Sequence, residues 1–126
     1  MISYAFIDGI LRVTPTGDID YKDLVHFLRD FSTLEHLPED LKVLYDLRQA
    51  NVNLHLDDIS KLSSLAEQLT KNVKTIKTAF VVEDPKATAY TMLYSWLPTT
   101  IRLKRENFST EDAAVLWLNK PLLETD

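Results

Sequence analysis

The chain contains a short, near-continuous run of apolar side chains that ends abruptly in polar residues. The run is formed by Val43, Leu44, Tyr45 and Leu47. Such a run is typical of a strand that is covered on both faces of a sheet. We therefore predict a central buried strand over residues 41–48. The polar residues that follow it, up to 55, then lie at its carboxyl end, where open α/β sheets bind ligands and partners.

Four further segments have the pattern of strands. Residues 2–7 and 10–15 flank an Asp-Gly pair, which tolerates the positive φ angles of a two-residue hairpin turn. Residues 75–83 form a second apolar run. Residues 101–105 alternate between apolar and basic side chains, which suits an edge strand that must resist pairing with another chain.

Four segments are predicted to be helices from their apolar spacing and capping residues. They are residues 21–37, 56–73, 85–97 and a last helix from about 110. Asp20, with Asp23 three residues later, forms a capping-box variant before the first helix. Asp84 and a first-turn proline open the third. Ser109 is the expected N-cap of the last helix. Its expected inward stripe is Ala113, Leu116 and Trp117.

The third helix is apolar around much of its circumference. Its sheet-facing stripe is predicted to be Ala89, Met92, Leu93 and Trp96. Tyr90 and Tyr94, one turn apart, then form a second stripe together with Leu97. These tyrosines could line a ligand cavity or a dimer face, where tyrosine is enriched. Alternatively, their rings lie flat over the domain with the hydroxyls in water.

The order of these elements is β-β-α-β-α-β-α-β-α. An initial hairpin followed by right-handed crossovers gives an α/β fold with a mixed, mostly parallel sheet of about five strands. We expect one domain over residues 1–120 and a short tail over 121–126.

Several of these segments resemble the STAS superfamily and, within it, the SpoIIAA-like proteins, which are similar in turn to CRAL-TRIO lipid-binding domains. The resemblance is carried by residues 17–21 (Gly-Asp-Ile-Asp-Tyr), 43–47 (Val-Leu-Tyr-Asp-Leu), 77–82 (Lys-Thr-Ala-Phe-Val-Val), 108–113 (Phe-Ser-Thr-Glu-Asp-Ala) and 117–118 (Trp-Leu). It covers nearly the whole chain, from about Gly9 to Leu118. It implies a sheet with helices largely on one side and no catalysis.

Bacterial anti-sigma-factor antagonists of this superfamily carry a phosphorylatable serine in an Asp-Ser-Ser-Gly motif at the start of the second helix. The corresponding residues here are Asp57, Asp58, Ile59 and Ser60. Asp58 aligns with the serine that takes phosphate, and the glycine is absent. The resemblance therefore implies a module without the phosphoserine switch, in which Asp57 and Asp58 remain candidates for partner binding.

Composition narrows the function further. The 126 residues have a net charge of -5, which argues against general nucleic-acid binding. The absence of cysteine excludes disulfides and thiol catalysis, and two glycines are too few for a Gly-rich phosphate loop. With no apparent signal peptide and no apolar run of about 20 residues, a cytoplasmic protein without a membrane span is expected.

Polar residues gather at the predicted carboxyl edge of the sheet. They are Asp18, Asp46, Arg48, Asn51, Asn53, His55, Glu83, Asp84 and Asn107. Asp46 and Arg48 share one strand face and form either a docking edge or a structural ion pair. The three histidines lack metal-ligand spacing, and we expect neither a metal nor another cofactor. A basic set, Lys71, Lys74, Lys77, Arg102, Lys104 and Arg105, is either a solvated surface or a contact for anionic lipid or protein.

Three hypotheses follow. The first is a non-enzymatic STAS-like regulatory or binding module that acts through protein contacts, with another protein or with itself as a homodimer. The second is a small carrier that holds a lipid or another apolar ligand between the helices and the sheet. The third, an enzyme, requires Asp46, Arg48 and His55 to converge in one cleft.

Overall fold

The computed structural model of the protein describes residues 1–99 and 102–121. In chain order its elements are β1 (Ile2–Ile7), β2 (Ile10–Pro15), β3 (Gly17–Ile19), α1 (Tyr21–Ser32), β4 (Asp40–Asp46), β5 (Ala50–Val52), α2 (Leu56–Leu69), β6 (Thr75–Val81), α3 (Pro85–Trp96), β7 (Leu103–Phe108) and α4 (Glu111–Leu118). None of these helices is long and apolar enough to cross a membrane. Apart from Pro121, the predicted tail lies outside the described residues.

The main sheet has five strands in the order β1-β2-β4-β6-β7. β1 and β2 are antiparallel, and the other neighbouring pairs are parallel. The hairpin turn has positive φ at Asp8 (52°) and Gly9 (80°), as its Asp-Gly sequence predicted. β4 lies at the centre of the sheet. The predicted α/β class with a mixed, mostly parallel sheet is therefore confirmed.

Alternation along the strands divides the core into two parts, because successive side chains point to opposite faces. On one face, Val43 packs with Phe27 of α1 and Leu62 of α2. On the other face, Leu44 packs with Ala114 and Leu118 of α4. Among the described elements, helices α1, α2 and α3 cover the first face and α4 covers the second, so the expected one-sided placement of most helices is confirmed.

A second, two-stranded sheet was not predicted. β3 and β5 pair in parallel beside the carboxyl end of the main sheet. Each strand has three residues, of which Ile19 and Val52 are buried. Segments this short and polar show no periodicity, so their pairing comes from tertiary contacts.

Helix α1 ends at Ser32, earlier than predicted. The hydroxyls of Ser32 and Thr33 donate to carbonyls of the last turn, at 2.6 Å and 2.7 Å. Leu34 and Leu37 still pack against the core from the loop, which explains why the apolar pattern continued past the helix. Helix α2 likewise ends at Leu69, before the buried Val73.

The last strand and helix differ from the prediction in their boundaries. β7 covers 103–108 rather than 101–105, and residues 100 and 101 lie outside the described part of the chain. The N-cap of α4 is Thr110 rather than Ser109, and its hydroxyl accepts from the Ala113 N–H at 3.2 Å. The inward face of α4 also lies one residue further along than predicted, which corresponds to about 100° around the helix axis. Ala114 and Leu118 are fully buried and pack against Leu44. In the predicted stripe, Ala113 and Leu116 are exposed and Trp117 is half-buried.

Lys77 of β6 is buried beneath α4. The sequence placed it among six basic residues that were expected to be solvated or to form a surface contact. The side chain is 5% exposed. Its ammonium donates to the carbonyls of Trp117 (2.5 Å) and Lys120 (3.0 Å) and lies 4.4 Å from the Trp117 ring centroid. Burial lowers the pKa of Lys77, and neighbouring lysines add to this effect. A cation at the C-terminal end of α4 also complements the helix dipole.

We expect Lys77→Met to lower the free energy of unfolding by about 1–2 kcal/mol, because two carbonyls at the end of α4 lose their charged donor. Urea denaturation measures this change. Lys42→Met is the matched control, since the Lys42 ammonium makes one exposed bond, to Asn119. Equal losses in the two variants would contradict a special role of Lys77.

Candidate functional site

Helix α3 presents the opposite face to the sheet from the one predicted. Asp84 caps the helix by accepting from the Ala87 N–H at 2.9 Å, and Pro85 occupies its first turn, as predicted. The predicted inward stripe is instead exposed, with Met92 at 38%, Leu93 at 39% and Trp96 at 70%. The residues that face inward are Ala87, Tyr90, Thr91 and Tyr94.

Polar contacts explain this orientation. The Tyr90 hydroxyl donates to the Leu54 carbonyl at 3.0 Å and accepts from the Leu54 N–H at 3.3 Å, which ties α3 to the segment before α2. The Thr91 hydroxyl accepts from the Asn107 amide of β7 at 2.8 Å. Each stripe of α3 has helical spacing, so the period alone could not decide which one is buried.

A half-enclosed cavity of about 90 Å³ lies beneath α1, α2 and α3 on the sheet. Its walls are mainly aliphatic and aromatic. They include Ile19, Phe27, Leu47, Ile59, Leu62 and Phe80, together with Tyr90 and Tyr94. We call this space the apolar compartment. The sequence left open whether Tyr90 and Tyr94 line a cavity, form a dimer face or lie flat over the domain. In the structure both line this cavity.

A smaller cavity of about 40 Å³, the polar compartment, lies next to the first. The two cavities share Phe27, Leu28, Tyr45 and Tyr94 as walls. The polar compartment adds the side chains of Thr70, Thr78 and Arg105. The two adjoining cavities together therefore have an apolar end and an end that contains a cation, Arg105.

Two of the shared walls are tyrosines in an aromatic cluster. The Tyr45 ring stacks on Phe80 with centroids 5.2 Å apart, and Tyr94 meets the same ring edge-on at 5.7 Å. Burial raises the pKa of both Tyr45 and Tyr94. Both phenols are therefore neutral over the physiological pH range and can donate a hydrogen bond.

Sequence reasoning missed Arg105 as a residue of this region and placed it in the basic surface set. A signal was present, because residues two apart on a strand share a face. Leu103 is buried on the face that α1, α2 and α3 cover, and Arg105 lies two residues later on the same face of β7. The guanidinium donates to the Ser63 hydroxyl at 2.9 Å and lies 4.0 Å from the Tyr94 ring centroid.

Asp46 and Arg48 form an ion pair at the end of β4. Two guanidinium nitrogens of Arg48 donate to the two carboxylate oxygens of Asp46, each at 2.8 Å. The hydrogen bonds from Arg48 lower the pKa of Asp46. Because each side chain satisfies the other, the pair stabilises the strand end. Its role in ligand or partner binding stays a prediction.

We expect Asp46→Asn to lower the melting temperature by roughly 2–5 °C at pH 7, since the pair is partly exposed to solvent screening. The folded-state pKa of Asp46 lies below its unfolded value of 3.8. The stabilisation is therefore full above that value and is lost as pH falls through the lowered pKa. Melting curves from pH 7 to pH 2 should converge for the two proteins. A difference that persists at low pH would contradict this assignment.

Asp57 and Asp58 lie in the first turn of α2. The buried Asp58 carboxylate accepts from the His55 N–H at 2.9 Å, so it caps the helix. Asp57 is exposed. Within the described residues, no hydrogen bond or ion pair joins the side chain of His55 to Asp46 or Arg48, and no cluster of three acidic or histidine residues could hold a metal ion.

Other residues of the predicted polar edge, among them Asp18, Asn51, Asn53 and Asn107, form separate local hydrogen bonds. The Asn51 amide donates to Asp18 at 2.9 Å, which links β5 to β3. The Lys86 ammonium donates to the side-chain oxygens of Asn51 (3.0 Å) and Asn53 (2.8 Å). Asn107 is turned toward α3. These bonds connect the two sheets to α3.

Comparison with known proteins supports the fold. No family model and no curated protein matches the chain. Among solved structures, it is similar to an uncharacterized protein of the DUF3478 family with a SpoIIAA-like fold, from Shewanella loihica PV-4. The identity is 16%, the TM-score is 0.57, and the match covers 94% of this chain and 92% of the other. The protein therefore has a SpoIIAA-like fold.

Proposed function

We propose that the protein is a non-enzymatic binding module that regulates another protein through direct contact. The contact surface is the outer α3 face, formed by Ala89, Met92, Leu93 and Trp96. The observation that carries this proposal is the exposure of Trp96, at 70%, next to two half-exposed aliphatic side chains.

An apolar stripe of this kind favours a protein partner. Large apolar side chains that are grouped on a surface mark interaction sites, and tryptophan is enriched among the residues that contribute most to binding. The net charge of -5 disfavours an anionic membrane surface, which attracts basic segments. The occupant that fits best is an apolar groove of another protein.

The polar residues support a role without catalysis and without the phosphoserine switch. Asp46 and Arg48 are paired with each other, and Asp58 caps α2. Asp58 also stands where the SpoIIAA-like switch would need a hydroxyl. Regulation then depends on occupancy of the outer α3 face rather than on modification at the start of α2.

Photo-cross-linking tests this function. An amino acid with a photo-activated cross-linking group replaces Leu93 in one variant. In the control variant it replaces Leu116, which is 67% exposed on α4. Expressed in cells of the source organism, the position-93 protein should give a discrete cross-linked product that the position-116 protein lacks. A product at twice the chain mass would identify a second copy as the partner. Equal labelling at the two positions, or none at either, would rule the surface out.

The cavity supports a second candidate function, a carrier for a small apolar ligand. An apolar space of about 90 Å³ is large enough for a few carbon atoms, since a dry cavity of about 150 Å³ binds benzene. Native mass spectrometry after mild purification tests it. A co-purified small molecule supports the carrier, and a bare chain after incubation with small alcohols counts against it.

A further inference from the structure

Three residues with polar side-chain groups, Tyr45, Tyr94 and Arg105, line the polar compartment. The two tyrosines also line the apolar compartment, and the Arg105 guanidinium carbon lies 4.0 Å from the centroid of the Tyr94 ring. The Arg105 charge acts on both phenols and opposes the rise that burial produces in their pKa values. The shared cavity wall and the contact of Arg105 with the Tyr94 ring place these side chains around one small space.

Within residues 1–99 and 102–121, the hydroxyls of Tyr45 and Tyr94 have no hydrogen-bond partner. In the same residues, the one side-chain nitrogen or oxygen that is both fully buried and without a partner is Arg12 Nε. The phenol oxygens are thus unpaired but not enclosed by packing, which is consistent with their position on a cavity wall. A phenol hydroxyl on a cavity wall can donate a hydrogen bond to a bound group that accepts one.

The guanidinium also lacks a full counterpart. Its bonds go to the Ser63 hydroxyl (2.9 Å) and the Tyr94 carbonyl (3.3 Å), and its face lies over the Tyr94 ring. No carboxylate of the described residues pairs with it, whereas Arg12 pairs with Glu111 and Arg48 with Asp46. A half-buried cation beside an apolar space attracts an anion more strongly than one in water does.

We propose that the two compartments bind a small monocarboxylate with a short aliphatic tail. The carboxylate accepts hydrogen bonds from Tyr45 and Tyr94 and faces Arg105, a residue type suited to carboxylate recognition. The tail, of about three to five carbons by volume, fills the apolar compartment. This inference rests on the second candidate function and names its ligand class.

Isothermal titration with three probes of similar size tests the proposal. Butyrate, 1-butanol and butylamine share a short alkyl chain and differ in the charge of the head group. Butyrate should bind about tenfold more tightly than 1-butanol, and butylamine should not bind, because the head group meets a cation. Arg105→Gln should weaken butyrate binding by about tenfold and leave 1-butanol within about twofold. Tyr45→Phe removes one hydroxyl at nearly unchanged volume and should weaken butyrate binding severalfold.

Each outcome decides between the site and its ligand class. If 1-butanol binds as tightly as butyrate, the apolar carrier remains and the carboxylate site is wrong. If no probe binds, both are wrong, and the unpaired groups are met by ordered water instead. Butyrate binding that is unchanged in Arg105→Gln would also overturn the proposal. Should that variant fail to fold, the Tyr45→Phe result decides in the same way.

Discussion

Replacing Trp96 with alanine is expected to weaken binding of the protein's partner by about 2 kcal/mol or more, roughly thirtyfold in the dissociation constant. The side chain is 70% exposed in the isolated protein, so its large apolar surface becomes buried only in the complex. For the same reason the free energy of unfolding should change by no more than about 0.5 kcal/mol. Titration calorimetry with the cross-linked partner, once purified, measures the loss.

Leu116→Ala provides the control for this experiment. Leu116 is 67% exposed but lies on α4, on the opposite side of the sheet from α3. Its replacement should leave partner binding unchanged. If Trp96→Ala binds as well as the wild-type protein, or if Leu116→Ala loses as much affinity, the outer α3 face is not the contact surface.

Replacing Leu44 with alanine is expected to lower the free energy of unfolding by about 2–5 kcal/mol, the largest stability effect that we predict. Leu44 is 1% exposed in the central strand β4 and packs against Ala114 and Leu118 of α4. α4 is the one helix on this face of the sheet among the described elements. A cavity at Leu44 therefore loosens the contact that holds α4 in place.

Urea denaturation with linear extrapolation measures this loss. Leu116→Ala removes the same atoms from an exposed position of α4 and should cost no more than about 0.5 kcal/mol. A loss below about 1 kcal/mol at Leu44 would mean that α4 does not depend on this packing.

The parts of the fold that the sequence predicted are those with strong local signals. The apolar run over 43–47 identified the central strand, and the Asp-Gly pair identified the hairpin. Asp20 and Asp84 marked the starts of α1 and α3 through their capping bonds. Each signal arises from neighbouring residues, so no knowledge of distant contacts was needed.

The parts that escaped prediction depend on contacts between distant residues. The orientation of α3 is set by the bonds of Tyr90 to Leu54 and of Asn107 to Thr91, which helical spacing does not reveal. The pairing of β3 with β5 has the same origin. At the candidate sites, the residues expected at the strand ends pair among themselves, while Tyr45 and Arg105 line a cavity that forms only after the helices pack.

The emission of Trp96 tests the central claim most directly. The chain has two tryptophans, so Trp117→Phe leaves Trp96 as the one reporter on the outer α3 face. When the purified partner is added, we predict that the emission shifts to shorter wavelength and that quenching by acrylamide decreases, because the indole leaves water. An emission and a quenching rate that stay unchanged while the partner binds would contradict the claim.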